Sequence, residues 1–188
     1  MTVSRETLER YAEALRGRGI ERGLIGPGEA DRIWERHIEN CIPVSTLFNE
    51  GASVVDVGSG AGLPGIVIAI VRPDLKVSLI EPLQRRVDFL NEIIDELKLP
   101  TLVIRGKAES VKGSFDYVTA RAVAPLDRLI ASTWHLIKPG GSLLAIKGES
   151  AQQELLKTTL PKGAKSALHE LKNNDAPTSR IIEVTKVR

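Results

Sequence analysis

Apolar positions along this chain follow two different periods. Near the start, Leu8, Tyr11, Ala12 and Leu15 recur at i, i+3, i+4 and i+7, which predicts a helix with one buried face. "GRGIERGLIGPGEA" then breaks the pattern with five glycines and a proline, the composition of a turn. A second helical stripe carries Ala30, Ile33, Trp34, His37, Ile38 and Cys41. From residue 52 the rhythm changes, and short β-branched runs alternate with helical patterns. "SVVDVG", "KVSLIE", "TLVIRG", "FDYVTA" and "GSLLAIKG" read as five strands. "GIVIAIVR" reads as a buried helix, although its β-branched content leaves the type ambiguous. "QRRVDFLNEIIDEL" is amphipathic, with Val87, Leu90, Ile94 and Leu97 inward. "LDRLIASTWHLI" is a helix stopped by Lys138, Pro139, Gly140 and Gly141. A further helix, "SAQQELLKTTL", precedes "KSALHEL" and "SRIIEVTKV", which can close an antiparallel pair.

Strands alternating with helices imply right-handed βαβ units and a mostly parallel sheet with helices on both faces. The expected architecture is an α/β, Rossmann-like domain over residues 51–188, with an N-terminal helical segment over 1–50 packed on it. Composition adds little to this. At 42% apolar and 27% charged, the 188 residues have the balance of a soluble globular protein. The single cysteine excludes an internal disulfide and fits a reducing compartment. No apolar run approaches the ~20 residues of a membrane span, and the charged N-terminus lacks a secretion core. Cytoplasmic localisation is the expectation. Net charge is only +2, without the strong basic patch usual in nucleic-acid binders.

Candidate chemistry concentrates in "VVDVGSGAGLPG". In a parallel sheet, ligands bind beyond the carboxyl ends of the strands, and this loop leaves the first strand there. Glycine lets a ligand approach the backbone without a Cβ clash. Gly60, Gly62 and Gly65 spell the dinucleotide fingerprint GxGxxG. Asp56, Gly58, Gly60 and Gly62 spell DxGxGxG, which resembles the first motif of class I S-adenosylmethionine-dependent methyltransferases. Glu81 ends the second strand 21 residues beyond Gly60, the spacing of an acid that accepts from ribose hydroxyls. That points to adenosine, which NAD and S-adenosylmethionine share. Asp56 separates them: it would repel a pyrophosphate but suits a methionine ammonium. It is equally suited to capping the turn. "GKAES" follows the third strand, where Glu109 and the Ala108 amide are placed for adenine, unless Glu109 is simply a surface acid.

Several stretches together resemble the RsmG (GidB) family, which methylates N7 of guanine 527 in 16S ribosomal RNA. They are "RHIENC", "DVGSGAGLPGIVIAIVRPD", "RRVDFLNEI", "GKAE", "TARAVA" and "AIKG". The resemblance runs from about Trp34 to the C-terminus in family order. "RGLIGPGEADRIWERH" resembles a shorter N-terminal form seen in actinobacterial members. "IENC" departs from the commoner "LDS" at Asn40 and Cys41. The resemblance implies that Gly58, Leu63, Ala108, Glu109 and Arg121 contact S-adenosylmethionine. It also implies a 16S ribosomal RNA or small-subunit particle as partner.

The fourth strand ends in "TARAVAP", not in the acid or asparagine with two prolines of exocyclic-amine methyltransferases. Arg121 there presents a permanently charged fork of donors. It suits a cofactor carboxylate, an RNA phosphate, guanine O6 or a structural ion pair, in each case as a positioning group. Lys147, beside Gly148, reaches the same edge and suits RNA phosphate or plain surface exposure. His37 lies on an apolar stripe and reads as a packing histidine, which leaves Arg36 as the better RNA candidate. No Cys, His and acid cluster has metal spacing. Other classes remain open at this point: an NAD(P)-binding oxidoreductase, or a nucleotide-binding module without chemistry.

Overall fold

The computed structural model describes residues 2–172 and 177–187. Met1 and Arg188, the outermost residues of the two expected segments, lie outside them. Seven strands form one sheet: β1 (Ser53–Val57), β2 (Lys76–Glu81), β3 (Leu102–Arg105), β4 (Phe115–Arg121), β5 (Ile137–Lys147), β6 (Ala164–Leu171) and β7 (Ser179–Lys186). Their order is β3-β2-β1-β4-β5-β7-β6. The first five are parallel, and β7 inserts antiparallel between β5 and β6. The antiparallel pair expected from the last two apolar runs is present.

Parity along each strand decides which face a side chain covers. Val54, Leu79, Leu144 and Ile181 share one core with α1 (Thr2–Ala14), α2 (Gly65–Val71) and α3 (Gln84–Leu97). Their chain neighbours Val55, Ile80, Leu143 and Ile182 share the opposite core with α4 (Leu126–Thr133) and the start of α5 (Ala151–Lys157). The ambiguous run "GIVIAIVR" settles as α2. Ile66 to Ile70 are buried all round, because α2 packs between β2 and α1. In α3 the predicted Val87, Leu90, Ile94 and Leu97 are buried, joined by Phe89 and Ile93.

The N-terminal segment is less regular than its stripe predicts. After α1 the chain makes a wide π-type turn over Leu15–Gly19. Residues read as a second α-helix form a 3₁₀ run at Pro27–Arg32, a π-type turn at Ile33–Ile38 and a 3₁₀ turn at Glu39–Cys41. The physical reason is spacing. Ile33, Ile38 and Cys41, five and then three residues apart, are all fully buried. A wide turn followed by a tight one puts them on one side, which a uniform α-helix would not. The segment is tied to α3 through Arg18 on Glu92 and Glu96, and through the two-pronged pair of Arg22 with Glu92. It is also tied to β7, where the Ser179 hydroxyl donates to the Asn40 carbonyl at 2.9 Å.

A second departure lies at "KPGG". Instead of ending a helix, these residues run inside β5, which begins at Ile137. Phe115 pairs with Ile137 and Tyr117 with Ser142, so the extra residues bulge from the ladder. A Cβ on Gly141 would lie 2.4 Å from the Asp116 carbonyl oxygen, so only glycine fits there.

Candidate active site

β1, β2, β4 and β5 all end on one edge, delivering Val57, Glu81, Arg121 and Lys147. β2 and β4 flank β1 and lead away in opposite directions, the switch point where α/β sheets open a crevice. The glycine loop springs from here. Gly58 and Ser59 donate backbone hydrogen bonds to the Ile80 carbonyl at 2.8 and 3.2 Å. Gly58 and Gly62 have φ of +67° and +98°, strained for any side chain.

What lies against these glycines is mainly protein. A Cβ on Gly58 would meet Val123 Cγ2 at 2.9 Å, and one on Gly62 would meet Ile66 Cγ1 at 2.5 Å and the Tyr11 hydroxyl at 2.9 Å. At Gly65 it would sit 2.3 Å from Leu79 Cδ2 and 2.8 Å from Asp56 Oδ2. Around Gly60 the space is open, with the Gly58 oxygen nearest at 3.8 Å, whereas Gly58 lies against Val123 and also lines a cavity. Gly62 and Gly65 are required by α1, α2 and β2.

Asp56 is fully buried beneath the loop. Its Oδ2 accepts the Gly65 amide at 3.1 Å, capping the start of α2, while Oδ1 has no partner. Burial pushes its carboxyl up to about 7, against the pull of the Gly65 amide and the Arg121 charge. Glu81 is equally buried. Its Oε2 accepts the Gly60 amide at 2.9 Å and its Oε1 the Leu83 amide at 3.0 Å. The acid expected to meet ribose thus supports the loop, and each oxygen keeps a second lone pair.

Beside Gly58 opens a cavity of about 400 Å³. Val57, Ile80, Pro82 and Val123 give it apolar walls, and Ala108 and Glu109 close one end. Lys107 and Arg128 stand exposed at its margin. Gly58, Ala108 and Glu109 are therefore brought together. Leu63 is not: it is buried in the core on the opposite face of the sheet from Val57 and Ile80.

A second cavity, about 360 Å³, is lined by Arg36, His37, Asn40, Arg121, Ala122 and Lys147, among others. Arg121 donates to His37 Nδ1 at 3.0 Å and to the Arg36 carbonyl at 3.4 Å. Lys147 turns inward, donating to the Ala124 carbonyl at 2.8 Å and Glu154 Oε1 at 2.9 Å. Arg36, half exposed, pairs with Glu29 at 3.0 Å. Both cations read as RNA contacts thus have protein partners.

Three participants were not singled out as site residues from the sequence. Val123 covers Gly58, Glu29 stands beside His37, and Tyr11 donates to the Ala61 carbonyl inside the loop at 2.7 Å. Tyr11 was detectable in one respect: a phenol on a buried stripe needs an acceptor. Tyr11→Phe should cost about 1–3 kcal/mol, since it leaves a buried carbonyl unpaired. The urea midpoint should fall with far-UV dichroism unchanged; an unmoved midpoint would mean the loop holds itself.

Comparison with known proteins agrees with this geometry. A SAM-dependent methyltransferase from Aquifex aeolicus superposes with a TM-score of 0.60 at 17% identity, covering 82% of this chain and 93% of that one. A methyltransferase from Pyrococcus furiosus gives 0.60 at 14%, covering 77% and 80%. These likenesses establish the fold as that of the class I S-adenosylmethionine-dependent methyltransferases, as the resemblance of the glycine loop implies. Ribosomal RNA small subunit methyltransferase G of Thermobifida fusca is 51% identical over 179 residues, 94% of this chain and 72% of the relative. Its namesake in Streptomyces coelicolor is 50% identical over 186 residues, 93% and 77%. Against some other relatives, such as that of Mycolicibacterium gilvum, the chain covers 66% of the length. The GidB model, rRNA small subunit methyltransferase G, matches residues 4–177. On a match of that extent, this chain belongs to the GidB, or rRNA small subunit methyltransferase G, family.

Proposed function

We propose that this chain transfers a methyl group from S-adenosylmethionine to N7 of guanine 527 in 16S ribosomal RNA, in the cytoplasm. The family match over residues 4–177 carries the reading. The residues present suit the cofactor. Asp56 Oδ1, buried and unpartnered, calls for a cation such as the methionine ammonium. The apolar cavity beside Gly58 suits an adenosyl group, with Ala108 and Glu109 at the adenine end. Glu81 both supports the loop and offers its remaining lone pairs to ribose. Gly60 and Gly62 shape the loop, whereas Leu63 acts from the core beneath it. The N-terminal helical segment, whose described part runs over residues 2–50, lies on the domain that follows it and faces the RNA with Arg36.

When bound, S-adenosylmethionine supplies an electrophilic methyl group. Guanine N7 has a lone pair and no proton, so no general base is needed. The chain's contribution is alignment: the loop fixes the donor, and Arg121 orients the base through its donors. His37 is not placed as a base beside Arg121, since its Nδ1 is already occupied by the guanidinium.

The test is single-turnover methyl transfer to 16S ribosomal RNA, naked and in small-subunit particles, with the modified nucleotide mapped. With enzyme and cofactor saturating, the rate should be nearly flat between about pH 6.5 and 9, and Arg121→Ala should lower it by about a hundredfold. Calorimetry should detect binding of S-adenosylmethionine and none of NAD. Methylation at another atom, or tight NAD binding, would overturn the reading.

A further inference from the structure

The end of β4 and the N-terminal segment meet in a buried polar chain. Arg121 Nη2 lies 3.0 Å from His37 Nδ1. A guanidinium only donates, so Nδ1 must be the acceptor, and the proton of the neutral ring sits on Nε2. Nε2 lies 3.2 Å from Glu29 Oε2, an ion-pair distance without hydrogen-bond alignment, and neither atom has a hydrogen-bond partner. Glu29 Oε1 in turn takes the Arg36 guanidinium. The His37 side chain is only 12% exposed. The charged groups facing it are Glu29 and Arg36 from its own segment and Arg121 from β4. Burial first, then Arg121, holds the ring below its ordinary range, with Glu29 opposing. The neutral form is the one this geometry uses.

We propose that His37 is a positioning residue: through Nδ1 it holds the Arg121 guanidinium toward the cavity that receives the acceptor base, with the Glu29 carboxylate opposite Nε2, where the ring keeps its proton. The proposal rests on the methyltransferase reading above. It assigns the N-terminal segment a part in the chemistry that no motif of the glycine loop supplies. Protonation would turn Nδ1 into a donor facing donors, so acid should release Arg121.

Asparagine can place a carbonyl oxygen near the position of Nδ1 but cannot act as a base at these pH values, which makes it the diagnostic substitution. His37→Leu should lower the single-turnover rate by about ten- to a hundredfold, with S-adenosylmethionine affinity unchanged. His37→Asn should stay near wild type. The wild-type rate should also drop in acid, below the ordinary imidazole range, where the ring takes a proton, and His37→Asn should not. Independently of activity, ¹⁵N spectra of the ring should show the Nε2–H tautomer at pH 8. A leucine variant as fast as wild type, an asparagine variant as slow as leucine, or an Nδ1–H tautomer would each overturn the proposal. Should the leucine variant fail to fold, the asparagine variant and the spectra decide. A wild-type protein that binds no S-adenosylmethionine or methylates no ribosomal RNA would refute the functional reading instead, and the ring spectra would still test the contact.

Discussion

Gly65→Ala should cost this protein about 2–4 kcal/mol, a large part of the 5–15 kcal/mol typical of a domain. The new methyl group would lie 2.3 Å from Leu79 Cδ2 and 2.8 Å from Asp56 Oδ2. Leu79 is itself fully buried and cannot swing into solvent. Relief requires α2 to move off β2, which would lengthen the Gly65–Asp56 hydrogen bond and loosen the base of the loop. Gly60→Ala is the contrasting variant. Its φ is +58°, but the atom nearest to an added methyl group, the Gly58 oxygen, is 3.8 Å away. It should lose only about 1–2 kcal/mol, the cost of the left-handed conformation. Urea unfolding of both variants separates the two causes. Equal losses would mean that α2 and Leu79 relax enough to admit the methyl group, so that space does not select the glycine at position 65.

Asp56→Asn should make the unliganded protein more stable, by an amount that grows with pH. The folded carboxyl titrates near 7 and its ordinary value is 3.8. Between those values the native state keeps a proton that the unfolded chain has released. Wild-type stability therefore falls as pH rises through this window, with a slope of up to about 1.4 kcal/mol per pH unit from this group. Asparagine never ionises, so its curve lacks that fall. By pH 8 the difference reaches an upper bound on the order of 4 kcal/mol, reduced by whatever the new amide loses through its own unpaired hydrogens. S-adenosylmethionine should reverse the order. Its ammonium pairs with the ionised carboxylate, so wild-type affinity should climb through pH 7 while the variant's stays flat. Denaturation and calorimetry at pH 5 and 8 check both halves. Parallel stability curves would show that Asp56 ionises like an exposed acid.

Much of this was legible before any coordinates, and the reason is periodicity. Alternation and the helical repeat report which face of an element is buried, so β1 to β5, α3 and the closing antiparallel pair could be read from residue type alone. Spacing also placed Asp56, Gly58 and Glu81 at one edge. What escaped notice were relations that leave no period. His37 and Arg121 are 84 residues apart, and neither looks like the other's partner until the fold joins them. Lys147 looked free because Glu154, which neutralises it, sits on a helix whose orientation no local pattern gives. The irregular turns at 33–41 escaped because a stripe spaced five then three averages to a helix. "KPGG" looked like a helix stop because Pro and Gly mark bulges and turns alike. Glycines resemble ligand cradles for the same reason: absence of a side chain does not say whether ligand or protein fills the space.

The bond from Ser179 to the Asn40 carbonyl spans 139 residues. Asn40 is made early and β7 near the end of this chain, while β5 stays without its antiparallel neighbour until β7 exists. During synthesis, then, the glycine loop, β1 and β2 can assemble well before the segment bearing His37 gains its last anchor. The nascent chain would hold a donor pocket before it holds a finished acceptor pocket. Competence to react arrives with β7, the strand that anchors the segment bearing His37.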